Sequence, residues 1–120
     1  MNYITRIILS RIKQRIKPNK VIILLGARRV GKTVLLKAIA NEFDENEVLF
    51  LNGEDQFTAS QLSNKSISTY QRLLGSKKYL IIDEAQHISG IGRILKLMVD
   101  EIDGIHIIVT GSSVFDLGNQ

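Results

Sequence analysis

The sequence predicts an α/β fold, a three-layer sandwich built on a mostly parallel sheet. Three observations predict it. Four short apolar runs, Val21–Leu25, Val48–Leu51, Tyr79–Ile82 and Ile105–Val109, are rich in β-branched residues, the pattern of strands covered on both faces. Stretches of helical character separate consecutive runs, as right-handed crossovers between parallel strands require. The first run also leads directly into a loop bounded by Gly26 and Gly31.

The elements follow in order. Residues 3–17 read as an amphipathic helix with Ile4, Ile8, Ile12 and Ile16 recurring every four residues and Ile7 widening the face. Arg6, Arg11, Lys13, Arg15 and Lys17 fill much of the rest, and Pro18-Asn19 stops the helix. Two readings of this helix stand: a basic surface for nucleic acid or another partner, or an isoleucine-packed helix with a solvated charged face. Val21–Leu25 is the first strand, Gly26–Gly31 the loop, and a helix runs from Lys32 to about Phe43. Val48–Leu51 is the second strand, ended by Asn52-Gly53. Residues 54–76 are polar, with one helix over Ser68–Leu74 closed by Gly75. Tyr79–Ile82 is the third strand. Ile91–Ile102 is helical, with Ile91, Ile94, Leu95, Met98 and Ile102 on one side, and Ile105–Val109 is the fourth strand. No internal repeat or low-complexity segment interrupts the pattern.

At 120 residues the chain predicts one core. It divides into a basic amphipathic helix over 1–19 and a catalytic-type core over 20–120. The absence of cysteine excludes disulfides and thiolate-bound metal centres. His87 and His106 lack ligand spacing, so no structural metal site is expected. No apolar run approaches the roughly 20 residues that span a membrane, and Arg6 and Arg11 interrupt the N-terminal apolar stretch. A cytoplasmic protein without a membrane partner is expected. Charge is divided sharply. Residues 1–41 hold ten Lys or Arg and no acid, whereas residues 42–120 hold six against all twelve acids. The first part is therefore suited to an anion, either a nucleotide triphosphate alone or also nucleic acid or an acidic protein.

Gly26-Ala27-Arg28-Arg29-Val30-Gly31-Lys32-Thr33 matches G-x-x-x-x-G-K-[ST]. Triphosphate oxygens must be met by several backbone N–H groups at once. That demands a tightly curved loop, which Gly26 and Gly31 allow. The following helix points its positive end at the phosphates. Lys32 supplies a cation to the β- and γ-phosphates, and the Thr33 hydroxyl is a ligand for Mg²⁺. The nucleotide-binding segment thus runs over Gly26, Ala27, Arg28, Arg29, Val30, Gly31, Lys32, Thr33 and Val34. Arg28 and Arg29 either add phosphate affinity or face solvent.

The third strand ends in Asp83-Glu84. Ligands sit at the C-terminal strand ends of an open parallel sheet. Asp83 is expected to hold Mg²⁺ through water, and Glu84 to act as general base on the attacking water. The segment Asp83-Glu84-Ala85-Gln86 lacks the Asp-x-x-Gly of Ras-type GTPases, and Asn64-Lys65-Ser66-Ile67 lacks the Asp of a guanine reader. ATP is favoured over GTP. The fourth strand runs into Thr110-Gly111-Ser112-Ser113, where Ser112, with Thr110 second, is expected to reach the γ-phosphate or the attacking water. His106, inside that strand, reads as packing or surface.

Together these stretches resemble the AAA-type P-loop ATPases whose members read G-A-R-[RQ]-V-G-K-T, then D-E-[AV]-Q, then T-G-S-S. Here the matching stretches are Gly26–Thr33, Asp83–Gln86 and Thr110–Ser113. The resemblance spans about residues 20–115. It implies a sheet ordered 1-4-3-2 and Mg²⁺-dependent ATP binding and hydrolysis. Gln86 fits the pattern without an assigned role. Such proteins usually continue into a fifth strand, a helical lid and further parts, and none follows Val109 here. A truncated core that hydrolyses ATP slowly is expected, with oligomer contacts through the missing parts and strand one left as a partly uncovered edge. No arginine finger or lid residue is identifiable; Arg93 is available but unmarked. Other readings are a nucleotide-binding regulatory switch with little turnover, a nucleic-acid module using residues 1–41, and a small-molecule kinase, against which Glu84 argues.

Overall fold

The structure, a computed structural model, describes residues 3–26, 31–64 and 66–111, with side chains from Arg6 onward. The elements are α1 (Tyr3–Arg15), β1 (Lys20–Leu25), α2 (Lys32–Ala40), β2 (Val48–Asn52), α3 (Gln56–Leu62), α4 (Ile67–Leu74), β3 (Tyr79–Asp83), α5 (Ile91–Glu101) and β4 (His106–Gly111). Short 3₁₀ turns cover Glu45–Glu47 and Ala85–His87. The strands form one sheet in the order β1-β4-β3-β2, and all three pairings are parallel. This is the order implied by the resemblance.

Strand alternation divides the core into two layers. Leu80, Ile82, Ile107 and Val109 pack with Leu62, Tyr70, Leu74, Ile94, Leu95 and Met98 of α3, α4 and α5. Ile81 and Ile108 pack on the opposite face with Leu9, Ile12, Leu36 and Ile39 of α1 and α2. Each fully buried Leu or Ile contributes about 1.5–3 kcal/mol, so the central strands β3 and β4 are held from both sides. β1 lies at an edge, and Leu25 at its end is 54% exposed. The expectation of a β1 buried on both faces therefore holds only in part.

Three helices differ from their sequence reading. From Arg6 onward, α1 buries Leu9 and Ile12, and Ile16 just past its end is half-buried, whereas Ile7 and Ile8 are 36% and 40% exposed; Ile4 lies outside the residues whose side chains are described. A four-residue repeat drifts by roughly 40° per step against a 3.6-residue turn, so Ile8 leaves the core face that Leu9 and Ile12 share. The charged face remains, with Arg6, Arg11, Lys13 and Arg15 exposed. α2 ends at Ala40 rather than Phe43, because Phe43 leaves the helical path to stack on Tyr79 at 4.0 Å between ring centroids. α3 lies in the polar stretch 54–76, where the sequence reading places a helix only over Ser68–Leu74. Its signal is weak because only Thr58 and Leu62 are buried and Phe57 is exposed. What starts it is local, the Asp55 carboxylate accepting from the Phe57 N–H at 3.1 Å.

Asn19 joins the two ends of the chain's core. Its backbone is left-handed at φ 58, a conformation Asn tolerates better than most residues. From there its side-chain amide donates to Val99 O and Ile102 O at 2.7 and 2.9 Å, and its oxygen accepts from Gly104 N at 2.9 Å. The turn into β1 is thereby tied to the turn between α5 and β4. No helix among the described residues is long and apolar enough to cross a membrane.

Candidate functional site

The parallel register brings the C-terminal ends of three strands side by side. Leu25 of β1 faces Gly111 of β4, and Val109 of β4 faces Ile82 of β3. The loop after β1 leads to Gly31, which caps α2 with φ 79. Glycine adopts that left-handed conformation without steric cost. No side chain caps α2 and no acid stands in its first turn, so the positive end of the helix is not neutralised by its own sequence.

Lys32 begins α2 and is 5% exposed. Its Nζ donates to the Gly26 carbonyl at 2.9 Å and to the Gly111 carbonyl. The ammonium thus lies between the ends of β1 and β4. One residue later the Thr33 hydroxyl donates to Asp83 Oδ2 at 2.7 Å. Asp83 is 5% exposed, and its other oxygen accepts from Thr110 Oγ1 at 2.5 Å. Two hydroxyls therefore donate to the buried carboxyl group, in keeping with the rule that buried polar atoms are hydrogen-bonded. Thr33 Oγ1 and the Asp83 carboxylate are adjacent hard oxygen donors, the chemistry that fits Mg²⁺.

Glu84 has φ 55 and ψ 47. A non-glycine residue in this region is costly and persists only where its surroundings fix it. Its N–H donates to Thr110 Oγ1 at 2.9 Å. Gln86, in the following turn, donates from Nε2 to Glu84 Oε2 at 2.7 Å. His87 Nε2 lies 3.8 Å from the same oxygen, and ligand atoms of Glu54, Glu84 and His87 fall within 4.8 Å of one another. The spacing of His87 in the sequence does not reveal this grouping.

Gly53 completes the frame. Its N–H donates to the Asp83 carbonyl at 2.7 Å, extending the β2–β3 ladder. A Cβ at this position would stand 2.2 Å from the Glu84 carbonyl oxygen and 2.9 Å from its carbon. Only glycine permits this approach. Gly53→Ala is expected to push the Asp83–Glu84 backbone aside and to destabilise the fold by about 2 kcal/mol, within the range of overpacking. Denaturant unfolding measures the loss, and an unchanged midpoint would show that the backbone yields freely.

Of the residues expected at the site, Gly26, Gly31, Lys32, Thr33, Asp83 and Glu84 come together. Val34 lies on α2, 66% exposed. Ala27, Arg28, Arg29, Val30 and Ser112 lie outside the described residues. Thr110 is placed differently from its sequence reading. It is fully buried, and its hydroxyl is engaged by Asp83 and by the Glu84 N–H, so it braces the acids. His106 lies at the far end of β4 and tilts onto Tyr79 at 4.6 Å, a packing role. Gly53 and Gln86 are the residues sequence reasoning left without a function. The first was visible only as a turn after a strand, and the second only as part of a motif.

Among curated proteins, the chain is 29% identical over 114 residues to an uncharacterized protein of Methanocaldococcus jannaschii, covering 90% of this chain and 24% of that protein. It is 36% identical over 80 residues to the replication factor C large subunit of Methanosarcina acetivorans, covering 65% of this chain and 13% of that protein. The chain thus spans a quarter or less of the length of these relatives. The AAA domain family matches residues 18–120, a stretch that takes in all four strands and the ends on which the polar groups converge, and the chain belongs to that family.

Proposed function

We propose that this chain binds Mg²⁺–ATP and hydrolyses it. The observation that carries the reading is the meeting of Lys32, Thr33, Asp83 and Glu84 at adjoining strand ends, with the two acids braced by Thr110. Gly31 and the uncapped start of α2 receive the phosphates through backbone N–H groups. Lys32 shifts from its carbonyl partners to the β- and γ-phosphates. Thr33 and Asp83 would hold Mg²⁺, directly and through water, and the ion would offset charge on the phosphate oxygens. Glu84 takes a proton from a water as that oxygen bonds to the γ-phosphorus, the bond to the bridging oxygen breaks, and ADP leaves with the electron pair.

Titration of the chain with a fluorescent ATP analogue, with and without Mg²⁺, tests the proposal when phosphate release is followed in the same samples. Mg²⁺-dependent binding with release supports an ATPase. Binding without release supports a nucleotide-dependent switch, and no binding in either condition overturns both.

A second reading concerns α1. Its exposed Arg6, Arg11, Lys13 and Arg15 continue into a cavity of about 460 Å³ lined by Gln14, Arg15, Lys17, Lys20 and Val21. Together with the replication factor C relative, this basic surface favours contact with a nucleic-acid backbone. Its signature is binding that weakens steeply with salt and survives loss of Lys32.

A further inference from the structure

We infer that Gln86 is a positioning residue that orients the Glu84 carboxylate for proton transfer. The inference rests on the reading of Glu84 as general base. The Gln86 amide presents its nitrogen to Glu84, whose carboxyl oxygen accepts the bond. The distance of 2.7 Å between Nε2 and Oε2 is that of a charge-assisted bond. The other end of the amide makes the case. Gln86 Oε1 is buried and finds no hydrogen-bond partner among the described residues. A buried acceptor left in this way is unfavourable, and a residue retained only for packing would be apolar. Among the described residues, the N–H bond to Glu84 is the one hydrogen bond that distinguishes glutamine here from a methionine of similar size.

The geometry also explains why such a contact is needed. Glu84 stands in a left-handed conformation at the start of the Ala85–His87 turn. Thr110 fixes its backbone through the N–H at 2.9 Å, but three side-chain torsions separate that point from the carboxylate. Gln86, two residues on in the same turn, fixes the far end. The base is thereby held at both ends by β4 and by its own turn. Effective general-base catalysis requires this alignment, since small displacements of a reacting group cost large factors in rate.

Two measurements test the inference. In ¹H–¹⁵N spectra of the nucleotide-free chain, one Gln86 side-chain amide proton is expected downfield of its random-coil position and to move back in Glu84→Ala, which removes the acceptor. Random-coil shifts for both amide protons overturn the contact. In steady-state phosphate release, Gln86→Met is expected to lower kcat about tenfold, with KM and the Kd for an ATP analogue within about twofold. Gln86→Asn, which keeps an amide but falls short by one carbon, should show the same loss. In the Glu84→Gln background, Gln86→Met should cause no further loss, because the two residues act as one unit. A matching loss of nucleotide affinity, an unchanged or raised kcat, or a multiplicative effect with Glu84→Gln overturns the positioning role. If Glu84→Gln itself keeps wild-type turnover, the base assignment fails and this inference with it. Loss of turnover in Glu84→Gln but not in Gln86→Met defeats this inference alone.

Discussion

Lys32→Ala is expected to lower the affinity for Mg²⁺–ATP by about a hundredfold or more, close to loss of measurable binding. Charge-assisted hydrogen bonds to a phosphate contribute about 1.5–3 kcal/mol each, and every 1.4 kcal/mol is tenfold in affinity. Lys32 is suited to make such bonds because its surroundings are already arranged. It is 5% exposed, so little water screens it, and the Gly26 and Gly111 carbonyls hold its Nζ between β1 and β4. Arginine is not an equivalent replacement, since its planar fork is larger than the point cation those two carbonyls grip. The alanine variant also leaves both carbonyls without this donor. A modest fall in thermal midpoint should accompany the loss of binding, and circular dichroism should confirm that the sheet persists. Titration with a fluorescent ATP analogue measures the effect. Unchanged affinity in a folded Lys32→Ala variant would show that the loop is not the nucleotide site. Salt-sensitive nucleic-acid binding that persists in the same variant would locate that second activity on α1.

The sheet was legible because burial on both faces leaves a plain mark. Ile81, Ile82, Ile107 and Ile108 stand in continuous apolar runs, and all four are buried. Glycine spacing before Lys32 and the acids after Ile82 were legible as a local pattern, and the parallel sheet brings Lys32, Thr33 and Asp83 to adjoining strand ends. What escaped was settled by contacts between distant segments. The hydroxyl of Thr110 could have faced a ligand, but it reaches Asp83 and Glu84 across the β3–β4 pairing. Nothing near Gly53 in the sequence announces that the Glu84 carbonyl passes 2.2 Å from where its Cβ would be. α3 went unread because a helix held by one Asp55 cap and two buried residues carries almost no periodicity. Phe43 likewise reads as the last apolar position of α2 until Tyr79 is placed beside it.

Glu84→Gln is expected to lower kcat for phosphate release by about 10²–10³, in the lower part of the roughly 10²–10⁴ that a general base contributes, while the Kd for Mg²⁺–ATP stays within about twofold. The substitution is chosen for what it preserves. Glutamine has the same length and shape, its side-chain oxygen can still accept from Gln86 Nε2, and its backbone N–H still reaches Thr110 Oγ1. Asp83 and its two hydroxyl donors are untouched. What is lost is the capacity to accept a proton. Glu84→Ala would mix that loss with an unpartnered Gln86 and with a side chain less able to fill the 6%-exposed position. The two functional readings then separate in one comparison. An ATPase keeps its nucleotide and stops releasing phosphate, so bound ATP accumulates on the variant. A switch that seldom turns over shows no change in either quantity. A third outcome, weaker binding with unchanged kcat, would mean that Glu84 contacts the nucleotide itself, and the base would then have to be sought among the groups that face the same carboxylate, Glu54 and His87.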